Sequence, residues 1–90
     1  MSNLLFINSG FPFNIVIDEG VNSIGDYAFA QCVALEKVYY KGTAEEWATI
    51  IIDSGNSYLT NATRYYYSET QPTAEGYYWH YDENGEAVAW

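Results

Sequence analysis

The amino-acid sequence predicts a mixed α/β fold: a short solenoid of about two coils, with parallel strands, one clear helix and a β-hairpin cap at each end. Three observations lead to this prediction. The stretch SIGDYAFAQCVALEKVYY, residues 23–40, changes from helical spacing to strand alternation. Its pattern returns after a shift of 23 residues, which places Ile15 on Val38 and Ile17 on Tyr40. Both ends of the chain alternate apolar and polar residues around turn signals.

Residues 23–40 predict one coil of the solenoid. Ser23 and Asp26 have the spacing of a capping box, and the apolar residues that follow recur three or four apart, as on one face of a short helical turn. Val38 and Tyr40 then alternate with their neighbours, which is typical of a strand with one buried face. We therefore expect a strand, a bend and a helical turn that each bury one apolar side.

The second copy of the pattern predicts a longer helix. Thr43 followed by Glu46 is a capping box, and apolar residues recur at i, i+3, i+4 and i+7 from Ala44 onward, so a helix is expected over residues 44–52. The segment RYYYS follows as another strand, at a spacing of 27 residues from Val38 to Tyr65. The predicted parallel sheet has strands near 15–17, 38–40 and 65–67.

Two coils need caps, because repeats bury their apolar faces against neighbours. We expect residues 1–17 to form an N-terminal hairpin cap, residues 15–67 to form the repeat coils, and residues 68–90 to form a C-terminal hairpin cap around an Asn-Gly turn. The whole chain, residues 1–90, is then a single domain.

The segment IGDYAF, followed by Cys32, Leu35 and Val38, resembles the BspA-like leucine-rich repeat of bacterial surface proteins. The chain from YYKGTAEEWATI through NATRYYYSETQPTAEGYYWHY is similar to the C-terminal end that often follows such repeat arrays. The resemblance covers roughly residues 15–90. It implies a right-handed leucine-rich-repeat solenoid with its parallel strands on one side, and binding or adhesion without catalysis.

The charge balance restricts the classes of partner. Twelve acidic residues stand against Lys37, Lys41 and Arg64, and the net charge is −9. Such a chain should stay soluble and repel nucleic acid and anionic membranes, so the expected partner is another protein, with no direct contact to nucleic acid. A homodimer is also compatible with the sequence.

The sequence predicts no membrane insertion, since no apolar run approaches the length of a span. The N-terminus lacks the basic region and the small-residue cleavage site of a signal peptide. As the chain stands it is expected in the cytoplasm, or outside the cell if an export signal precedes it.

The residues give little support to catalysis. Cys32 and His80 are the only classical nucleophile and base, but Cys32 falls on an apolar stripe and nothing positions a third group. One Cys and one His without paired ligand spacing do not make a metal site. We expect no enzyme, no catalytic residue, no metal and no cofactor.

A binding surface is predicted on the sheet instead. Strand alternation makes one set of side chains buried and leaves the side chains between them on the outer face. The set expected to be buried is Ile15, Ile17, Val38, Tyr40, Tyr65 and Tyr67. The outward set proposed to bind protein is Lys37, Tyr39, Arg64 and Tyr66, because tyrosine and arginine are enriched at protein contacts.

Two functions remain open at this point. The first is a non-enzymatic protein-interaction module derived from a leucine-rich-repeat surface protein, which would bind through the sheet face. The alternative is a small acidic inhibitor inside the cell, which would occupy the basic groove of a nucleic-acid-binding enzyme as phage-encoded anti-CRISPR proteins do. Its contact surface would be Asp82, Glu83 and Glu86 in the last turn.

Overall fold

The computed structural model describes residues 12–90, which form seven strands and two short helices. In chain order these are β1 (Phe13–Ile17), β2 (Ser23–Ile24), β3 (Leu35–Tyr40), α1 (Ala44–Trp47), β4 (Ile51–Ile52), α2 (Ser57–Asn61), β5 (Thr63–Tyr67), β6 (Tyr78–Tyr81) and β7 (Ala87–Ala89). Five strands make one sheet in the order β1-β3-β5-β6-β7, and β2 pairs with β4 in a second, two-stranded sheet.

The predicted leucine-rich-repeat solenoid is wrong. The described residues form a small, mostly-β fold around a mixed sheet, in which β7 runs antiparallel to β6. The expected helix over residues 44–52 ends at Trp47, because Ile51–Ile52 is extended and pairs in parallel with Ser23–Ile24. The Ser23 capping box is also absent: the Asp26 carboxylate accepts hydrogen bonds from the amide and hydroxyl of Ser54.

The parallel pairing of the three predicted strands is confirmed. β3 pairs in parallel with β1 on one side and with β5 on the other. The C-terminal hairpin also forms, with β6 and β7 joined by a turn in which Gly85 has a φ of 80°. The hairpin extends the main sheet, because β6 pairs in parallel with β5. The first arm of the predicted N-terminal hairpin lies outside the described residues.

The apolar core lies on one face of the five-stranded sheet, between the sheet and the two helices. Trp47 of α1 and Leu59 of α2 are buried in it. Thr43 caps α1 as predicted, since its hydroxyl accepts from the Glu46 amide and the Glu46 carboxylate accepts from the Thr43 amide. The buried members of this core are Ile15, Ile17, Ile24, Phe29, Cys32, Val38, Tyr40, Trp47, Ile50 and Leu59.

One buried polar side chain joins two segments that are distant in sequence. Asn56 is 3% exposed, and its Oδ1 accepts a hydrogen bond from the Phe29 amide at 2.8 Å. Its Nδ2 donates to the carbonyls of Gly25 and Asp53, each at 2.9 Å. The Asn56 side chain thereby fixes the turns after β2 against the loop that precedes α2.

No helix formed by residues 12–90 has the length and apolarity that a membrane crossing requires.

Candidate protein-interaction surface

The register between β3 and β5 decides which side chains share a face of the sheet. Tyr39 lies opposite Tyr65, and Tyr40 lies opposite Tyr66. Because directly paired residues point to the same side, Tyr65 shares the face of Tyr39, and Tyr66 lies on the core side with Tyr40. The predicted orientation of β5 is therefore wrong by one residue: Tyr65 and Tyr67 were expected in the core, and they lie on the opposite face.

This register separates the four residues predicted to bind protein. Arg64 and Tyr66 lie on the core side, where the Arg64 guanidinium carbon is 4.6 Å from the ring centroid of Trp47. The Arg64 Nε donates to the Tyr66 hydroxyl at 2.9 Å. Tyr66 itself packs against the core. Lys37 and Tyr39 stay together on the other face.

That other face carries a continuous cluster of aromatic rings with two lysines, which we call the aromatic face. Ring centroids are 5.3 Å apart for Tyr39 and Tyr65, and 5.2 Å apart for Tyr67 and Trp79. These spacings are typical of edge-to-face and tilted aromatic contacts. The aromatic face consists of Lys37, Tyr39, Lys41, Tyr65, Tyr67, Tyr77, Trp79 and Tyr81.

The floor of the aromatic face is made by Trp79 and Tyr39. Trp79 is 0% exposed, and its indole Nε1 donates to the Tyr40 carbonyl at 2.8 Å. The Tyr39 ring is 5.3 Å from that of Trp79, and Tyr39 is 5% exposed, so it supports the surface from below. The accessible rings belong to β6 and the residue before it: Tyr77 is 60% exposed and Tyr81 is 40% exposed.

The lysines of the aromatic face lie over tyrosine rings. The Lys37 ammonium is 5.7 Å from the Tyr65 centroid, and the Lys41 ammonium is 4.9 Å from the centroid of Tyr67 and 5.8 Å from that of Tyr81. Cations at these distances are attracted by the ring quadrupole. Two acidic residues lie close to these lysines in sequence or register. Glu36 is exposed at the bulge of β3, directly before Lys37, and Asp18 directly follows Ile17, whose carbonyl accepts a hydrogen bond from the Lys41 amide.

The acidic residues of the alternative surface lie in the turn between β6 and β7. The Asp82 Oδ1 accepts hydrogen bonds from the amides of Asn84 at 2.8 Å and Glu86 at 3.0 Å. An aspartate that accepts from the following backbone stabilises a turn, so Asp82 has a structural role. Glu83 and Glu86 are exposed in the same turn.

Cys32 and His80 lie in different environments. Cys32 is buried in the core, and burial raises the pKa of its thiol, which disfavours the nucleophilic thiolate. His80 stacks on Trp90 with ring centroids 3.7 Å apart and an interplanar angle of 14°. No group of three or more His, Cys, Asp or Glu side chains that could hold a metal ion occurs in the described part of the chain.

The sequence contains a signal for the residues of the aromatic face that our prediction missed. Tyr77, Trp79 and Tyr81 occupy every second position of one strand, and Lys41 continues the alternation of Lys37 and Tyr39. The run RYYY of β5 has no such alternation, so only its pairing with β3 places Tyr65 and Tyr67 on the same face. Comparison of the chain with protein-family models, curated proteins and solved structures finds no match in any of the three.

Proposed function

We propose that this protein is a non-enzymatic protein-interaction module that binds its partner through the aromatic face. The observation that carries the proposal is the group of exposed tyrosines, Tyr77 and Tyr81, at the side of a buried floor made by Trp79 and Tyr39. Exposed tyrosines around a well-packed centre are typical of protein-binding surfaces.

The packing beneath the aromatic face favours binding because it reduces the entropy lost on association. Trp79 is fixed by its hydrogen bond to the Tyr40 carbonyl and by contacts with three tyrosine rings. Side chains already held in one arrangement lose little freedom when a partner docks. Tyrosine adds a large contact area and a hydroxyl while losing only two side-chain torsions.

Site-specific photo-crosslinking tests the proposal. A photoreactive phenylalanine replaces Tyr81, which is 40% exposed, and in a control variant it replaces Tyr58 of α2, which is 43% exposed. A second matched pair is Tyr77 at 60% and Tyr27 at 66%. In cells that express the protein, we expect the same crosslinked partner from positions 77 and 81 and none from positions 27 and 58.

Alanine variants give the second measurement on the captured partner. Tyr77→Ala and Tyr81→Ala should each weaken its binding by about 1–2 kcal/mol, as aromatic anchors do. Both variants should keep the circular dichroism spectrum of the unsubstituted protein. Tyr77→Ala should also keep its melting temperature, since Tyr77 is 60% exposed, whereas Tyr81→Ala should lower it slightly, because the Tyr81 ring packs on Trp79 at 4.9 Å. Equal crosslinking from the control positions, or wild-type binding by both alanine variants, would contradict the proposal.

The acidic-inhibitor alternative makes a different prediction for the same partner. If acidic residues of the β6–β7 turn bind a basic groove, replacing Glu83 and Glu86 by Gln should slow association strongly, because exposed charges steer encounter. If the aromatic face binds, these changes should have little effect. Asp82 is kept in this comparison because its carboxylate stabilises the turn.

A further inference from the structure

The basic residues are not spread evenly over the surface. The molecule has a net charge of −9, yet Lys37 and Lys41 both lie on the aromatic face, and none of the residues that define this face is acidic; the exposed Glu36 lies beside Lys37 at the bulge of β3. The remaining base, Arg64, packs over Trp47 on the other side of the sheet. The aromatic face thus carries two of the three basic residues of an acidic protein.

This charge distribution disfavours a second copy of the chain as the partner. A symmetric dimer brings the same surface of both copies together, so Lys37 and Lys41 of one copy would meet those of the other. Like charges placed opposite each other at an interface cost several kcal/mol. The two copies would also repel each other at longer range, because each carries −9.

We propose, on the basis of the function proposed above, that the aromatic face binds an acidic, extended segment of a partner protein. Lys37 and Lys41 are four residues apart along one strand direction, which corresponds to about 13 Å at about 3.3 Å per residue. An extended segment with carboxylates at positions i and i+4 matches this spacing. Its side chain at i+2 then lies above Tyr39, between Tyr65 and Tyr67.

The contacts available to such a segment are complementary in kind. Each lysine ammonium can pair with one carboxylate while it remains close to a tyrosine ring. An aromatic or aliphatic side chain at i+2 contacts the half-buried rings of Tyr65 and Tyr67 and removes their remaining exposed area from water. The partner segment is therefore an extended backbone with two carboxylates that flank an apolar side chain.

A capped peptide, Glu-Ser-Phe-Ser-Glu, is the probe for this inference. In a nuclear magnetic resonance titration at millimolar probe, we expect shifts at the amides of Tyr39, Tyr65 and Tyr67 and none at Tyr58. The basic counterpart Lys-Ser-Phe-Ser-Lys and the respaced Ser-Glu-Phe-Glu-Ser should bind more weakly. Lys37→Gln and Lys41→Gln should each weaken binding of the first peptide by about two- to fivefold, and Glu83→Gln should leave it unchanged.

The dependence on salt is a second measurement of the same binding. At about 10 mM salt the Debye length is about 30 Å, so charges across the whole acidic molecule repel the acidic probe. At about 150 mM the Debye length is about 8 Å, and the lysines close to the probe dominate the interaction. We therefore expect tighter binding at the higher salt concentration. Affinity that falls steadily over this range would overturn the inference.

The outcomes separate this inference from the proposed function. If the basic peptide binds better, or if an uncharged oligosaccharide such as cellohexaose shifts the same amides more strongly, the acidic-segment inference is overturned. The same is true if no peptide shifts the aromatic face. None of these results affects partner crosslinking from positions 77 and 81, which tests the proposed function by itself.

Discussion

Removing the Asn56 side chain should be among the most damaging changes to this protein. In Asn56→Ala the Phe29 amide and the carbonyls of Gly25 and Asp53 lose the partners that hold them at 2.8–2.9 Å. The bond to the Phe29 amide is buried, and a buried group that loses its partner costs about 1–3 kcal/mol. The two carbonyls lose less, because Gly25 and Asp53 are exposed and the Gly25 carbonyl also accepts from the Ala28 amide. We expect a total loss of about 2–4 kcal/mol, against a whole-protein stability of about 5–13 kcal/mol for a chain of this length.

Urea denaturation followed by tryptophan fluorescence measures this loss. The matched control is Asn61→Ala at the end of α2, where the side chain is exposed and the change should stay within about 0.5 kcal/mol. Asn56→Asp keeps the shape of the side chain but places a carboxylate against two carbonyl oxygens. Its stability should therefore improve as acid protonates that carboxylate and restores a donor. If Asn56→Ala costs less than about 1 kcal/mol, the reasoning is refuted, because other contacts must then hold the two segments together.

Two further predictions concern the core. Trp47→Ala should cost about 3–5 kcal/mol, because the buried indole contacts the Tyr40 ring and supports the Arg64 guanidinium; an unchanged melting temperature would contradict this. Burial raises the pKa of Tyr40, and Glu46 and Glu19 add to the effect. Its contribution to stability should be complete below pH about 10, the ordinary tyrosine value, and should be lost as pH rises through the raised pKa. Melting temperatures across this range should fall less steeply for Tyr40→Phe, and an identical fall in both proteins would show that other groups are responsible.

The parts of the fold that could be predicted depend on patterns within short segments. The placement of Phe29 and Trp47 in the core is confirmed, as is the capping box at Thr43. The pairing of β1 with β3 follows the 23-residue shift that the sequence displays, from Ile15 to Val38. β5 also pairs in parallel with β3, but Val38 lies opposite Arg64 and not Tyr65, so the expected spacing of 27 residues is wrong by one. The correct predictions depend on residues close in sequence or on the 23-residue shift.

The parts that could not be predicted depend on contacts between distant segments. Ile51 and Ile52 continue a helical apolar stripe, but pairing with β2 makes them a strand. In β5 the run RYYY has no alternation of apolar and polar residues, so the sequence alone does not fix which tyrosines are buried. The role of Asn56 was also missed, because its three partners are set by the fold around it.

The core face and the aromatic face of the main sheet are linked through one residue, Tyr40. The side chain of Tyr40 is buried in the core, and its carbonyl accepts the hydrogen bond from Trp79 on the opposite face. The floor of the aromatic face is therefore attached directly to the most buried strand. The Tyr77 ring packs on Tyr65, and the Tyr81 ring packs on Trp79 itself. If the aromatic face binds a partner as proposed, changes at Trp79 should affect both stability and binding, because the indole is fully buried beneath that face. Tyr77 is 60% exposed and does not contact Trp79, so Tyr77→Ala separates binding from stability better than Tyr81→Ala, whose ring packs on Trp79.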